Sequence, residues 1–350
     1  MAKVVHGGVT DSEIAAARAR GLDPVDLSAS LNPYGPHPSV VKAAQEATFA
    51  RYPEADAHTL RACYAASAGV EPACVLAGNG STELFYLITR AAAATGSTAL
   101  ILGPTFGEYR AAVEAAGMEH VEWRATPPRF APLLDEWSEC IARSKPRLVF
   151  FCNPNNPTGA ILARDQVERL HTQVRDHGGT LVVDEAYMDF AWPEEQGMQQ
   201  PRPGLAVVRS LTKLHAIPGL RLGFLLAEPD FIAEAERHQP SWSVSAPATA
   251  AGMQALRQAS FALESRQRVA ESRDRLKRTL TAAGLAMGPS MANFLLIEAG
   301  NGARARAALL ERSWVVRDCA SFGLPGHIRV SIPRDDLADR LEQDLVECLR

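Results

Sequence analysis

Short apolar runs alternate with longer amphipathic segments through most of the chain, which is typical of β-α units around a largely parallel sheet. The predicted strands are Thr98–Leu102, Arg147–Cys152, Thr180–Val183, Leu205–Arg209 and Arg221–Leu226. The predicted helices between them cover 81–94, 106–117 and 163–177. The pattern therefore indicates an α/β fold, a large domain with a mostly parallel sheet flanked by helices.

The two ends of the chain differ from this middle part. From about Pro247 to Ala283 the pattern predicts one long helix with a polar face, connecting to a smaller α+β domain. That domain is predicted to contain strands near Asn293–Ile297, Trp314–Val316 and Ile328–Ile332 and a closing helix over 335–349.

Residues 1–45 have little periodic structure and much glycine and proline, so we expect an arm that covers the active site or a partner subunit. The predicted division is an N-terminal arm at 1–45 that contributes to the small domain and active site, a large cofactor-binding domain at 46–246, and the connector helix with the small domain at 247–350.

Composition excludes several classes of protein. The 350 residues are 47% hydrophobic and 22% charged, and the net charge of -4 predicts no nucleic-acid or anionic-membrane surface. No apolar stretch approaches the ~20 residues of a membrane helix, and the N-terminus lacks the apolar run of a signal peptide. The six cysteines form no C-x-x-C pair and the nine histidines no ligand spacing. We therefore expect a cytoplasmic protein without a metal site.

The most specific motif is Ser210-Leu-Thr-Lys213, followed by Pro218-Gly-Leu-Arg221. A lysine that forms a Schiff base with a cofactor must be held on a rigid turn beside a site for the cofactor's phosphate. Ser210 and Thr212 place hydroxyl groups there, and Arg221 adds a fixed charge that suits phosphate. A lone lysine would indicate only a solvated strand end, but the other filled positions favour the cofactor site.

Two further motifs follow predicted strands. The segment Val183-Asp184-Glu-Ala-Tyr187 can direct a carboxylate at a pyridine nitrogen and a phenol at the ring oxygen of pyridoxal phosphate (PLP). The loop from Asn153 to Gly159 lies at the carboxyl end of its strand, where Asn156 could donate to the same ring oxygen. The alternatives are an acid at the start of a helix and an ordinary Pro/Asn/Gly turn.

A glycine-rich segment, Gly78-Asn-Gly80-Ser81-Thr82, leads into an apolar helix. The free N–H groups and dipole of such a helix start bind anions, although an N-cap without a ligand has the same pattern. Phe106 follows a strand end and could stack on a pyridine ring, but it could equally be part of the core.

In this order and spacing, these segments resemble the fold-type I aminotransferase superfamily, which includes aspartate and histidinol-phosphate aminotransferases. The resemblance implies PLP bound to Lys213, with Asp184 at the pyridinium nitrogen, Asn156 and Tyr187 at the ring oxygen and Phe106 against the ring. It implies a phosphate site formed by Gly80, Ser81, Thr82, Ser210, Thr212 and Arg221. It also implies a homodimer in which Tyr52 reaches the neighbouring site, and an Arg329 that binds the substrate carboxylate.

A narrower resemblance is to the L-threonine-O-3-phosphate decarboxylases of cobalamin biosynthesis. It depends on His6-Gly7-Gly8, on the segment ending in Asn32-Pro33, and on Arg317-Asp-Cys-Ala. It implies that a phosphorylated amino acid binds among His6, Gly8, Asn32, Asn156, Arg317 and Arg329. The sequence departs from that family at Leu214 and His215, where aromatic residues are usual, and at Pro333.

The expected reaction is decarboxylation of L-threonine O-3-phosphate to an aminopropanol phosphate. If cations hold the substrate's phosphate, its carboxylate is unpaired and can leave as CO2. Three alternatives stay open: a histidinol-phosphate aminotransferase, a paralogue acting on another amino acid, and a non-catalytic PLP-fold ligand sensor.

Overall fold

The computed structural model of the protein describes residues 4–94, 96–127, 130, 134–191 and 200–350. Its strands are β1 (Val25–Asp26), β2 (Val75–Asn79), β3 (Thr98–Gly103), β4 (Glu119–Arg124), β5 (Leu148–Cys152), β6 (Thr180–Asp184), β7 (Leu205–Ser210), β8 (Leu222–Leu226), β9 (Phe294–Glu298), β10 (Trp314–Val315), β11 (Arg317–Asp318) and β12 (His327–Ser331).

The α-helices begin with α1 (Asp11–Ala19), α2 (Pro38–Gln45), α3 (His58–Ala68), α4 (Gly80–Ala92), α5 (Glu108–Ala115), α6 (Leu134–Ser144) and α7 (Arg164–Asp176). They continue with α8 (Leu211–Leu214), α9 (Pro229–Glu236), α10 (Ala246–Ala255), α11 (Ala259–Ala282), α12 (Gly302–Leu310) and α13 (Asp335–Leu349).

Seven strands form the main sheet, in the order β2-β8-β7-β6-β5-β3-β4. The strand β8 runs antiparallel to both of its neighbours, whereas the other pairings are parallel. Every residue of β5, β6, β7 and β8 is buried, because helices cover both faces of the sheet, and this explains their almost continuous apolar sequences. The sheet therefore confirms the predicted fold class.

Two smaller sheets contain the remaining strands. One has the antiparallel order β11-β12-β9, and the other joins β1 to β10 in parallel. Residues near the N-terminus thus pair with the last third of the chain, as Val25 does with Trp314. The N–H of Ser331 extends this contact by donating to the carbonyl of Leu27 at 2.9 Å. The domain boundaries after residues 45 and 246 stay a prediction.

The predicted helix over 247–283 was wrong in its continuity, because the structure has two helices there. The first, α10, ends at Ala255, and Gln258 has the non-helical angles φ -97° and ψ 47° before α11 begins. The two helices pack on different partners, α10 against α2 and α3, and α11 against α13. Their different partners explain the break that a polar-faced pattern did not reveal.

The N-terminal residues have more regular structure than the sequence indicated. The helix α1 starts with a capping box, in which Thr10 and Glu13 bond to each other's backbone N–H groups. The helix α2 starts with Pro38, whose fixed φ suits the first helical turn. None of the described helices combines the length and the apolar character that crossing a bilayer requires.

Candidate active site

A cavity of about 830 Å³ opens at the carboxyl ends of the parallel strands β5, β6 and β3. Ligands bind at this edge of open α/β sheets because successive loops leave a crevice there. The same cavity is lined from the other side by residues of the smaller sheet and of the N-terminal segment. The predicted site residues that line it are His6, Ser81, Thr82, Phe106, Asn156, Asp184, Tyr187, Thr212, Lys213, Arg221, Arg317 and Arg329.

Lys213 lies on the short helix α8, directly after the buried strand β7. Ser210 caps this helix, and its hydroxyl lies 2.8 Å from that of Thr212. From the other side, the N–H of Asn32 donates to the carbonyl of Lys213 at 2.9 Å, and its side-chain amide donates to the carbonyl of Leu214 at 2.7 Å. These bonds fix the turn that carries the lysine.

Burial, together with the positive charges of Arg329 and Arg221, lowers the pKa of Lys213 to about 8. The carboxylate of Asp184 has the opposite effect. A lysine with this pKa is partly neutral near pH 8, so it can act as a nucleophile or accept a proton.

Asp184 ends the strand β6 and is buried. Burial raises the pKa of its carboxyl group, while hydrogen bonds from Tyr109 and from the N–H of Ala186 lower it. The hydroxyl of Tyr109 donates to Oδ2 at 2.6 Å, and the N–H of Ala186 donates to Oδ1 at 2.9 Å. Both oxygens therefore have a donor that stabilises the ionised form, which a pyridinium nitrogen needs beside it.

Tyr187, Asn156 and Arg329 meet near the lysine. The Nζ of Lys213 lies 5.7 Å from the centre of the Tyr187 ring, and burial raises the pKa of that phenol to about 12. Arg329 donates hydrogen bonds to Oδ1 of Asn156 and to the carbonyl of Ser28. Its guanidinium also stacks over Phe294, 5.1 Å from the ring centre.

The start of α4 and Arg221 form a site that fits a phosphate. The N-terminal turn of α4 directs free N–H groups and two hydroxyls, those of Ser81 and Thr82, towards the cavity that Arg221 also lines. Gly80 has a φ of +73° and lies so close to the Arg221 guanidinium that a Cβ would collide with it. A Cβ on Gly223 would lie 2.8 Å from the N of Ser81, so a glycine on β8 lets the helix start approach.

The N-terminal segment and Arg317 complete the wall. Arg317 pairs in register with Arg329 across β11 and β12. Its Nη1 donates to the carbonyl of His6 at 2.7 Å, and its Nη2 to that of Val5 at 2.9 Å. The ring of His6 lies 2.9 Å from the carboxylate of Glu108 and 5.8 Å from the centre of Phe106.

Five predicted residues do not line this cavity. Tyr52 is 79% exposed and stacks on Trp242 at 4.8 Å, away from the cavity of its own chain. Asn32 and Ser210 form hydrogen bonds that support the turn carrying Lys213. Gly80 shapes the start of α4, and the N–H of Gly8 donates to Ser28 Oγ at 2.8 Å. Tyr52 thus lies on the outer surface, and the other four support the backbone around the cavity.

Sequence reasoning missed Tyr109 and Glu108, which lie on α5 directly after Phe106. Both are buried, and Tyr109 contacts Asp184 across 75 positions of sequence. The available signal was their place two and three positions after Phe106, a residue already assigned to the site.

Comparisons with known proteins identify the family. Residues 23–342 match the family model of aminotransferase class I and II. A histidinol-phosphate aminotransferase from Symbiobacterium thermophilum is 34% identical over 326 residues, which cover 90% of this chain and 88% of that protein. The crystal structure of a histidinol-phosphate aminotransferase from Sinorhizobium meliloti in complex with pyridoxal-5'-phosphate has a TM-score of 0.84 at 25% identity, and the match covers 98% of this chain and 95% of that one.

These comparisons show that the predicted decarboxylase activity was wrong. The L-threonine-O-3-phosphate decarboxylase from Porphyromonas gingivalis is a structural neighbour with a TM-score of 0.78 at 28% identity, covering 91% of this chain and 97% of that one. The more similar relatives are named aminotransferases, so the assignment to a lyase of cobalamin biosynthesis falls. The predicted phosphate site at His6, Arg317 and Arg329 does not distinguish the two reactions, because donors of this kind suit the phosphate of either substrate.

The cofactor follows from the family and from the fit of the cavity. A buried lysine, a carboxylate with two donors and a phosphate site at a helix start all face one space, as PLP requires. The chain is therefore a PLP-dependent enzyme of the aminotransferase class I and II family, with the fold-type I architecture.

Proposed function

We propose that the chain transfers an amino group between L-histidinol phosphate and 2-oxoglutarate, and that it does so as a homodimer. The observation that carries this proposal is the pair of buried arginines, Arg317 and Arg329, in the same cavity as Lys213. The relatives named histidinol-phosphate aminotransferases supply the candidate substrate.

The two arginines favour an anionic ligand. They are opposite each other on adjacent strands, and their hydrogen-bond partners in the described part of the chain are all neutral groups. Within that part, the Nε of each is buried without a partner. Two cations without a carboxylate partner suit the phosphate of one substrate and the carboxylates of the other in turn.

Lys213 carries the proton transfer in this proposal. When bound, PLP supplies an electron sink that stabilises negative charge at the substrate's α carbon. Lys213 Nζ, whose pKa is lowered to about 8, would take the proton from that carbon in the first half-reaction. In the second half-reaction the same amine would deliver a proton to the α carbon of the amino acid formed from 2-oxoglutarate. Asp184 holds a proton at the ring nitrogen, and Asn156 and Tyr187 are proposed to contact the ring oxygen.

The exposed aromatic residues support the homodimer. Tyr52 is 79% exposed, Phe49 is 82% exposed and Trp242 is 48% exposed. Tyr52 and Trp242 stack on each other at 4.8 Å, which forms a flat apolar surface on a single chain. A second copy of the chain that covers this surface would bring Tyr52 to its neighbour's cavity.

The test is a product assay with the PLP-loaded protein. We expect histidinol phosphate and 2-oxoglutarate together to yield glutamate, with no turnover when 2-oxoglutarate is left out. L-threonine O-3-phosphate serves as the comparison substrate, and CO2 is measured alongside. Release of CO2 from that compound, without glutamate formation in the first reaction, would overturn the proposal.

A further inference from the structure

Residues 4–9, which we call the N-terminal strap, run beside the cavity, and the four residues from Val4 to Gly7 line it. The smaller sheet holds the strap through Arg317, which donates to the carbonyls of Val5 and His6. The Gly8 N–H adds a bond to Ser28 Oγ at 2.8 Å. The strap is therefore fixed to the smaller sheet by its backbone.

The main sheet holds the same strap through a side chain. Glu108 is the first residue of α5 and is only 7% exposed. One of its oxygens lies 2.9 Å from Nε2 of His6, and the other accepts a hydrogen bond from the hydroxyl of Tyr86 at 3.3 Å. A buried carboxylate is costly unless its oxygens are hydrogen-bonded, and Nε2 of His6 and the hydroxyl of Tyr86 each contact one oxygen of Glu108.

This pair fixes the orientation of the His6 ring. Its Nε2 is engaged by Glu108, while its backbone carbonyl is held by Arg317. Within the described part of the chain, no hydrogen bond involves its other nitrogen, Nδ1. The ring thus offers one free nitrogen at the opening of a cavity whose wall contains Arg317 and Arg329.

We propose that Glu108 is a positioning residue for substrate binding: it accepts a hydrogen bond from Nε2 of His6, so that His6 in its doubly protonated form donates from Nδ1 to the substrate's phosphate. Glu108 itself touches His6 and not the substrate. Glu108 begins the helix after strand β3 of the main sheet, and Arg317 belongs to the smaller sheet. The two sheets therefore hold the strap from both sides. The inference rests on the proposed function only in taking the substrate to be phosphorylated.

Kinetics of three variants test the pair. We expect Glu108→Gln and His6→Asn each to raise KM for histidinol phosphate about tenfold, with kcat unchanged within about twofold. The double variant should be no worse than either single one, because the two residues act as a unit. Additive effects on KM, or a fall in kcat at unchanged KM, would overturn the proposal.

The control removes a buried carboxylate elsewhere. Glu342 lies on α13 and is 9% exposed. Its carboxylate pairs with Arg275 of α11 at 3.0 Å. Glu342→Gln should leave KM at its wild-type value, and PLP affinity should stay unchanged in all these variants. A KM for Glu342→Gln as high as that of Glu108→Gln would assign the effect to general destabilisation and overturn the positioning role.

Hydrogen–deuterium exchange separates this inference from the proposed function. In the PLP-loaded protein, inorganic phosphate should slow exchange of the peptide that contains the strap, and should not do so in Glu108→Gln. If the wild-type protein does not transaminate histidinol phosphate, the proposed function fails while this experiment still reports on the strap. Equal exchange in both proteins, with and without phosphate, would overturn the inference.

Discussion

Lys213 and Asp184 lie in one buried wall, and burial moves their pKa values in opposite directions. It lowers the pKa of the lysine to about 8 and raises that of the carboxyl group. Both shifts disfavour the charged form of the group. The ionised form of Asp184 therefore depends on its two hydrogen-bond donors, Tyr109 and the N–H of Ala186. Removing one donor should therefore weaken binding of the cofactor, whose ring nitrogen this carboxylate is proposed to contact.

The variant Tyr109→Phe removes the donor to Asp184 Oδ2 and leaves the ring in place against Phe150. We expect the Kd for PLP to rise about tenfold, as for loss of one hydrogen bond to a charged group. Titration of the apo-protein with PLP, followed by absorbance, measures it. Tyr64→Phe is the matched control, because Tyr64 is also buried and stacked, on Phe224 at 3.8 Å. Equal PLP affinity in both variants would contradict this role.

Lys213 predicts a pH dependence of stability in the apo-protein. Because its folded pKa of about 8 is below the ordinary value of 10.5, the unfolded chain binds more protons between these values. Stability should rise with pH from 8 to 10.5, by up to about 3 kcal/mol, as the folded lysine loses its costly charge. Lys213→Met should lack this rise in urea unfolding, whereas Lys42→Met, at a residue whose side chain is 73% exposed, should keep it. A pH profile shared by both variants would rule out this origin.

At the scale of elements, the start of α4 depends on how closely it approaches β8. Gly223 pairs with Ser210 on β7 and with Gly78 on β2, so it has a strand on both sides. A methyl group there would meet the backbone of Ser81 at 2.8 Å and that of Arg209 at 3.0 Å. Backbone atoms cannot turn aside as a flexible side chain does.

Gly223→Ala should therefore weaken PLP binding and lower the free energy of unfolding by about 1–3 kcal/mol. Gly219→Ala is the control, because a Cβ there meets nothing within 4 Å. Chemical unfolding and PLP titration of the two variants provide the comparison. A Gly223→Ala protein as stable as Gly219→Ala would show that the helix start can shift without cost.

Elements with continuous apolar sequence were predictable, and elements defined by tertiary contacts were not. The strands β5, β6, β7 and β8 were found within a residue or two, because burial on both faces makes their pattern unmistakable. The edge strand β4, with the sequence EHVEWR, is largely exposed and has no apolar run to detect. Phe106 was assigned from its place after a strand, whereas Glu108 and Tyr109 required the three-dimensional contacts with His6 and Asp184.

At the scale of the whole molecule, the proposed homodimer makes each site depend on two chains. Tyr52 is remote from the cavity of its own chain and exposed on a surface that stacks with Trp242. If it completes the neighbouring site, loss of Tyr52 from one chain and loss of Lys213 from the other leave one intact site in a mixed dimer.

Mixing the inactive variants Tyr52→Ala and Lys213→Ala under conditions that exchange subunits should restore about a quarter of the wild-type activity, since half of the dimers are mixed and each has one intact site. Aminotransferase assays before and after mixing measure it. Each variant mixed with itself is the control. No recovery, with exchange of subunits verified by mass, would show that Tyr52 acts only within its own chain.

The pairing of β1 with β10 joins residues that are almost 290 positions apart in the chain. Val25 is synthesised long before its partner Trp314. The strand β1 therefore stays unpaired until β10 has been synthesised. The segment before β1 that lines the cavity is thus held in place through a strand pairing that depends on a much later part of the chain. We therefore expect the outer wall of the cavity to form only after the strand β10 has been synthesised, although Lys213 and Asp184 precede it in the chain.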